Sequence, residues 1–329
     1  MQAIRDLQAH YVTPTVTVRA VDGVSLDVRE GEILGIAGES GCGKSTLVKA
    51  MYGYLPTPLT IAGGSISTTV RGPDGKPVTI ESPDMRSIWW KHISYIPQGS
   101  MSVLNPVVRV ENQFYDAVPK SDPRRRDRKA LREQLVQYLR ELDLPATVLK
   151  AYPHQLSGGM RQRVIVALAT FLHPQLVLAD EPTTALDVVV QRGILAMLTR
   201  LQKKMGNTLV IVSHDMGVHY QVTHRMAIMY AGKIVELGPT EQVFTNPRHP
   251  YTAMLIRSLP RVGQAGLREG IPGSPPSLIT PPEGCRFAER CPHATALCRE
   301  RVPDLIDVNE THQVACHLAP AGIAGGLAE

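Results

Sequence analysis

The stretch Gly38-Glu39-Ser40-Gly41-Cys42-Gly43-Lys44-Ser45 constrains this chain more than any other, because it fits the pattern G-x-x-x-x-G-K-[ST]. It ends an apolar run from Ile33 and leads into a helix-compatible segment, Lys44 to Met51. Strand, glycine-rich turn and helix N-terminus in that order turn backbone N–H groups inward around phosphate oxygens. Gly38, Ser40, Gly41, Cys42 and Gly43 make the wrap, Lys44 reaches the β- and γ-phosphates, Ser45 offers its hydroxyl to Mg2+, and Thr46 adds a phosphate contact. A dinucleotide fingerprint, G-x-G-x-x-G, would need glycine where Thr46 stands, so that reading is rejected.

The rest of the chain supplies an α/β frame for this loop. Two further apolar runs, Leu176 to Ala179 and Leu209 to Val212, carry no charge and read as central parallel strands covered on both faces. Looser alternation between Thr15 and Asp27 predicts an N-terminal antiparallel section, closed by a turn at Arg29 to Glu32. Leu131, Leu135, Tyr138, Leu139 and Leu142 share one helical face, which predicts a helical insertion. The basic run Arg124 to Lys129 is expected to be the solvated start of that helix, since it lacks the interleaved aromatics of a nucleic-acid surface. Beyond Gly238, nine prolines up to Pro282 predict extended linker structure. No run of ~18 apolar residues suits a membrane-spanning helix and no signal peptide is seen, so a cytoplasmic chain is expected.

Two more segments carry chemistry. The run at Leu176 ends in Asp180-Glu181: Asp180 suits a magnesium-bound water, and Glu181 can orient or deprotonate an attacking water. Ser157, Gly158 and Gly159, in Leu156-Ser157-Gly158-Gly159-Met160, stand before the apolar helix Val164 to Leu172 and present N–H groups at its N-terminus.

In that order these segments resemble the ATP-binding cassette ATPases over Asp6 to about Gly238. The resemblance implies Walker A at Gly38 to Ser45, the signature at Leu156 to Met160 and Walker B ending at Asp180-Glu181. It further implies that Gln98 is the Q-loop glutamine, that Ala185-Leu186-Asp187 is the D-loop, and that His214, after the strand Leu209 to Val212, is the switch histidine. Tyr11 resembles the adenine-stacking aromatic, with Val18 or Arg19 as alternatives. The expected fold is a RecA-like core with an antiparallel β section over residues 1–238, a helical subdomain at about 100–160, and a cysteine-rich extension over 239–329. ATP and Mg2+ are the implied cofactors, with magnesium met by Ser45, Gln98 and Asp180, and Glu181 and His214 as the catalytic pair.

Four of the five cysteines, Cys285, Cys291, Cys298 and Cys316, fall in the last 45 residues with spacing C-x5-C-x6-C-x17-C. Spacing alone leaves iron-sulfur, zinc and free thiols open, and the absence of C-x2-C knuckles argues against zinc. The fifth, Cys42, stands at a variable loop position and its thiol is expected to be incidental. Asn246 to Thr252, Gly284 to Phe287 and Val314 to His317 resemble the C-terminal extension of oligopeptide/dipeptide importer ATPases. That resemblance implies a [4Fe-4S] cluster on the four cysteines.

The family resemblance implies an ATP-hydrolysing subunit at the cytoplasmic face of the membrane. Its partners would be two permease subunits, an extracytoplasmic solute-binding protein and a second cassette, with Met160 pointing to a heterodimer. Peptides are the expected solute, with oligosaccharide or nickel as alternatives. A formal charge of +5 leaves a second class open, a soluble cassette ATPase acting on nucleic acid or ribosomes, but the tandem cassettes or coiled coils expected of it are missing. A third reading makes the cysteine region an iron-sulfur regulatory module.

Overall fold

The computed structural model describes residues 1–72, 74–82, 84–99, 103–184, 186–259 and 270–319. In chain order the first elements are β1 (Gln2–Val12), β2 (Thr17–Val28), β3 (Ile33–Ala37), α1 (Lys44–Tyr52), β4 (Leu59–Arg71), β5 (Pro77–Glu81) and β6 (Ile93–Ile96). The middle of the chain gives α2 (Val110–Ala117), α3 (Arg128–Glu141), α4 (Gly158–Thr170), β7 (Leu176–Asp180), α5 (Val188–Met205), β8 (Thr208–Val212) and α6 (Met216–Val222). β9 (Arg225–Tyr230), β10 (Lys233–Pro239), α7 (Thr240–Thr245), α8 (Pro250–Arg257), α9 (Ala296–Glu300), β11 (Ile306–Asn309) and β12 (His312–Val314) follow. These elements form two compact units. One comprises Thr69–Ile211 with Met1 and Arg29–Glu32; the other comprises Gln2–Val28, Ile33–Thr68 and Val212–Glu329.

The second of these units holds two sheets. β1 lies antiparallel between β2 and β4, with Ile4 opposite both Leu26 and Ile66, so three apolar side chains meet on one buried face. β3 runs parallel to β9, Leu34 facing Arg225 and Ala37 facing Ile228. β9 then pairs antiparallel with β10, β10 with β12, and β12 with β11. β10 therefore continues through Gly238 and takes a C-terminal strand as its neighbour, Glu236 opposite Val314.

The prolines after Gly238 do not keep this region extended. α7 and α8 form there because proline is tolerated at a helix start: Pro250 occupies the first turn of α8, and the His249 side chain accepts the Tyr251 N–H as its cap. Tyr251 and Phe287 are buried around Tyr230, with ring centroids 4.6 Å and 5.2 Å from it. Glu236, fully buried, accepts N–H groups from Arg248 (2.7 Å) and His249 (3.0 Å) and meets His312 Nε2 at 2.7 Å, so β10, the start of α8 and β12 share one carboxylate.

In the other unit β6 and β7 pair in parallel, Ile93 opposite Leu176, and β8 lies beside β7. α3 begins where the sequence predicts, capped by Asp127, whose carboxylate accepts the Lys129 and Ala130 N–H groups. Its basic start is more tied down than a solvated run: Arg124 forks onto Asp122, Arg125 donates to the Val118 carbonyl, and Arg128 lies 4.3 Å from the Tyr115 ring centre. α4 starts at Gly158, six residues before the predicted Val164, because Ser157 caps it. Tyr138 of α3 donates to Thr170 of α4 at 2.7 Å, and Phe114 meets Phe171 edge-on.

Candidate functional site

The phosphate loop lies wholly within the unit that contains β3. Its shape is set by three glycines at positive φ: Gly38 (151°), Gly41 (78°) and Gly43 (106°). A Cβ on Gly38 would come within 2.2 Å of the Met229 carbonyl oxygen, and one on Gly43 within 2.0 Å of that of Ala20. These two positions admit no side chain. Gly43 also caps α1 without a side-chain acceptor, which leaves the first N–H groups of the helix directed into the loop.

Lys44 is buried and its ammonium donates to the Gly38 and Glu39 carbonyls, both at 2.8 Å, so the cation is held over the loop. Ser40 and Gly41 are exposed, Ser45 is half-buried and Thr46 is buried. Tyr11, at the end of β1, shares a 3.2 Å hydrogen bond with Thr46, which brings an aromatic ring beside the start of α1. Cys42 Sγ lies 3.7 Å from the Lys44 ammonium, yet burial pushes its thiol pKa up and keeps it a poor nucleophile.

His214 stands exposed between β8 and α6 in the same unit. Six residues behind its neighbour Ser213, the His219 ring is fully buried and pairs through Nε2 with the Ser213 carbonyl at 3.0 Å. Burial pulls the His219 pKa down to about 4, so the ring is neutral and anchors the backbone beside His214. A Cβ at Gly35 would lie 2.5 Å from His219 Nδ1, which is why β3 carries glycine there. His249 caps α8 and is buried, as are His219 and His312, and none of the three positions carries a local signal of burial.

The carboxylates lie within the other unit. Asp180 ends β7, fully buried, and receives the Tyr95 hydroxyl at 3.1 Å. Glu181 follows at φ 48°, a left-handed conformation costly for a residue with a side chain and typical of functional turns. Its carboxylate accepts Gln98 Nε2 at 3.1 Å and Thr184 Oγ1 at 2.8 Å. Gln98 and Glu181, separated by 83 residues in sequence, therefore meet.

Ser157 is exposed at the N-terminus of α4 and accepts the Met160 N–H at 3.3 Å. Of the two glycines after it, Gly159 has a packing reason: a Cβ there would lie 2.9 Å from Val190 Cγ1 of α5. Ala185 of the expected D-loop lies outside the described residues; Asp187 caps α5 by accepting the Val189 and Val190 N–H groups.

Cys285, Cys291, Cys298 and Cys316 line one small cavity with His249, Phe287 and His317. No disulfide links them. Burial and the neighbouring sulfurs push the Cys285 thiol up to about 11, and burial raises Cys291 and Cys316 as well. The cavity holds about 10 Å³, a single water's worth of room. Among the described residues no group of three or more His, Cys, Asp and Glu side chains is arranged to hold a metal ion.

The ABC transporter family model matches residues 21–184, and the model for the oligopeptide/dipeptide transporter C-terminal region matches residues 235–298. The dipeptide transport ATP-binding protein DppD of Caldanaerobacter subterraneus is 40% identical over 321 residues, 97% of each chain. The chain belongs to the ABC transporter ATP-binding proteins of the oligopeptide/dipeptide family. Within that family, the oligopeptide transport ATP-binding protein OppD of Bacillus subtilis is 38% identical, over 94% of this chain and 87% of its own. A solved dimeric cassette, MJ0796, bound to ADP and phosphate, superposes with a TM-score of 0.59 at 25% identity, covering 73% of this chain and 99% of its own. The described residues thus have an ABC cassette fold with an antiparallel β section and an ATPase's motifs. None of their helices is long and apolar enough to cross a membrane.

Proposed function

We propose that this chain hydrolyses ATP to drive uptake of dipeptides or oligopeptides through partner permeases. The observation that carries the reading is the loop built by Gly38, Gly43 and Lys44, joined in one chain to a C-terminal region of the oligopeptide/dipeptide type. The loop's residues fit a triphosphate, with inward N–H groups, an ammonium and the Ser45 hydroxyl, and Gln98 and Asp180 of the other unit carry oxygens of the kind magnesium takes. Magnesium bound to the triphosphate neutralises its charge. Lys44 and the N–H groups of α1 hold phosphate oxygens, and Tyr11 stacks on the adenine. Glu181 orients and takes a proton from the attacking water, while Gln98 and Thr184 fix its carboxylate. His214, steadied through Ser213 and His219, completes the catalytic pair.

Ser157, Gly158 and Gly159 serve a second cassette, as in a head-to-tail dimer. Two permease subunits, an extracytoplasmic binding protein and a position at the cytoplasmic face of the membrane complete the assembly, and residues 1–238 and 239–329 are its cassette and extension. The four cysteines are read as ligands of a [4Fe-4S] cluster on the family resemblance and on the softness of thiolate donors, and all four residues border one cavity. A filled site would be wider than the water-sized space between them.

The test is purification from detergent-solubilised native membranes with mass spectrometry, alongside ATPase assay. Near-stoichiometric permeases and a second cassette are expected. Recovery with ribosomal or nucleic-acid partners would overturn the transporter reading.

A further inference from the structure

Glu39 introduces a problem into a loop meant for phosphates. Its carboxylate belongs to the wrap itself, one residue after Gly38, and an unpaired anion there repels an incoming triphosphate. The chain answers this from 251 residues away. Arg290 forks onto Glu39, Nη1 to Oε2 at 2.8 Å and Nη2 to Oε1 at 3.0 Å. Its side chain is only 5% exposed. The remaining N–H groups are also engaged: Nε donates to the Pro272 carbonyl at 2.8 Å, Nη2 to that of Ile271 at 3.1 Å, and Nη1 to the Tyr230 hydroxyl at 3.1 Å. Tyr251 adds a second hold by accepting the Glu39 N–H at 2.9 Å.

We infer that Arg290 is a positioning residue for nucleotide binding: it neutralises Glu39 and holds that carboxylate away from the phosphates, so that the C-terminal extension sets the ATP affinity of the loop. Three features favour this over a plain surface ion pair. The guanidinium is buried, its fork is bidentate, and its target lies inside the phosphate loop. Arg290 also immediately precedes Cys291, so the cysteine cavity and the phosphate loop share one anchor.

The inference rests on the reading that Gly38 to Ser45 holds ATP, and the experiment separates the two. Equilibrium binding of a fluorescent ATP analogue is measured on the full chain for wild type, Lys44→Ala, Arg290→Gln, Glu39→Gln and the Arg290→Gln/Glu39→Gln double variant. Thermal unfolding is followed for each. Lys44→Ala must weaken binding; if it does not, the ATP reading fails and takes this inference with it. With Lys44→Ala weakened, Arg290→Gln is expected to raise Kd ~10-fold, and the double variant to return to within ~3-fold of wild type. A merely structural role for Arg290 would give no such rescue, because removing Glu39 cannot restore lost packing. Wild-type affinity in Arg290→Gln, or a double variant as weak as the single one, overturns the inference. Should Arg290→Gln fail to fold, Glu39→Gln alone decides: with Arg290 left in excess it is expected to tighten binding severalfold at low salt, and unchanged or weaker binding refutes the charge argument.

Discussion

Two buried histidines should make this protein acid-sensitive by an amount that can be worked from their surroundings. His219 and His249 are both fully enclosed, and burial brings each pKa from 6.5 down to about 4. The unfolded chain takes up these protons as pH falls below 6.5, whereas the folded chain resists until about 4. The unfolded state thus binds more protons across this window, so stability is full above it and falls as pH drops through it. Between about pH 7 and about pH 5 each histidine removes ~2 kcal/mol, and the pair ~4, a large share of the 5–15 kcal/mol typical of a folded domain. His249 offers a clean perturbation, because its Nδ1 accepts the Tyr251 N–H at 3.0 Å and asparagine supplies the same acceptor without titrating. Urea unfolding of wild type and His249→Asn, followed at both pH values, should show the variant losing ~2 kcal/mol less stability than wild type on acidification. Equal losses in the two proteins would refute the assignment of a depressed His249 pKa.

Four further outcomes are expected. Glu181→Gln should still bind ATP while turnover falls by ~10² to 10⁴, the usual value of a general base; normal turnover removes Glu181 from the reaction. Lys44→Ala should weaken ATP binding at least ~10-fold, read by equilibrium dialysis, because the phosphates lose a fixed cation. Gly43→Ala places a Cβ 2.0 Å from the Ala20 carbonyl, so nucleotide binding should be lost and the unfolding midpoint lowered; an intact loop would show that this backbone contact can yield. Cys298→Ser should abolish iron and acid-labile sulfide in protein purified without oxygen; stoichiometric zinc and no iron in wild type would sink the cluster reading.

The local parts of the site were legible because each is a contiguous signal. The phosphate loop, the strand ending at Asp180 and the Ser157 cap are written in runs of eight residues or fewer, and their φ angles and caps follow from residue type. Gln98 was singled out only through the family resemblance, and its contact with Glu181, 83 residues away, has no signal in the sequence. β1 went unread because Arg5 and Asp6 interrupt its alternation, where a bulge lets Asp6 adopt φ 44°. α7 and α8 were masked by prolines, which suit an extended chain and a first helical turn equally well. The burial of His219, His249 and His312 has no periodic signature, because each is enclosed by residues distant in sequence.

The extension after residue 239 is therefore more than an appendage to the unit that carries the phosphate loop. β12 gives β10 a partner, Tyr251 and Phe287 enclose Tyr230, and Glu236 binds the start of α8 and β12 at once. Tyr230 closes the same strand, β9, that pairs with β3 and whose Met229 carbonyl forbids a side chain at Gly38. Arg290 and Tyr251 then reach the loop directly at Glu39. A change at the cysteine cavity, which Phe287 also lines, has two short routes to the loop: through Phe287 and Tyr230 into β9, and through Arg290 onto Glu39. Neither route passes through a loose linker: the rings of Tyr230, Tyr251 and Phe287 pack on one another, and every N–H of the Arg290 guanidinium is engaged.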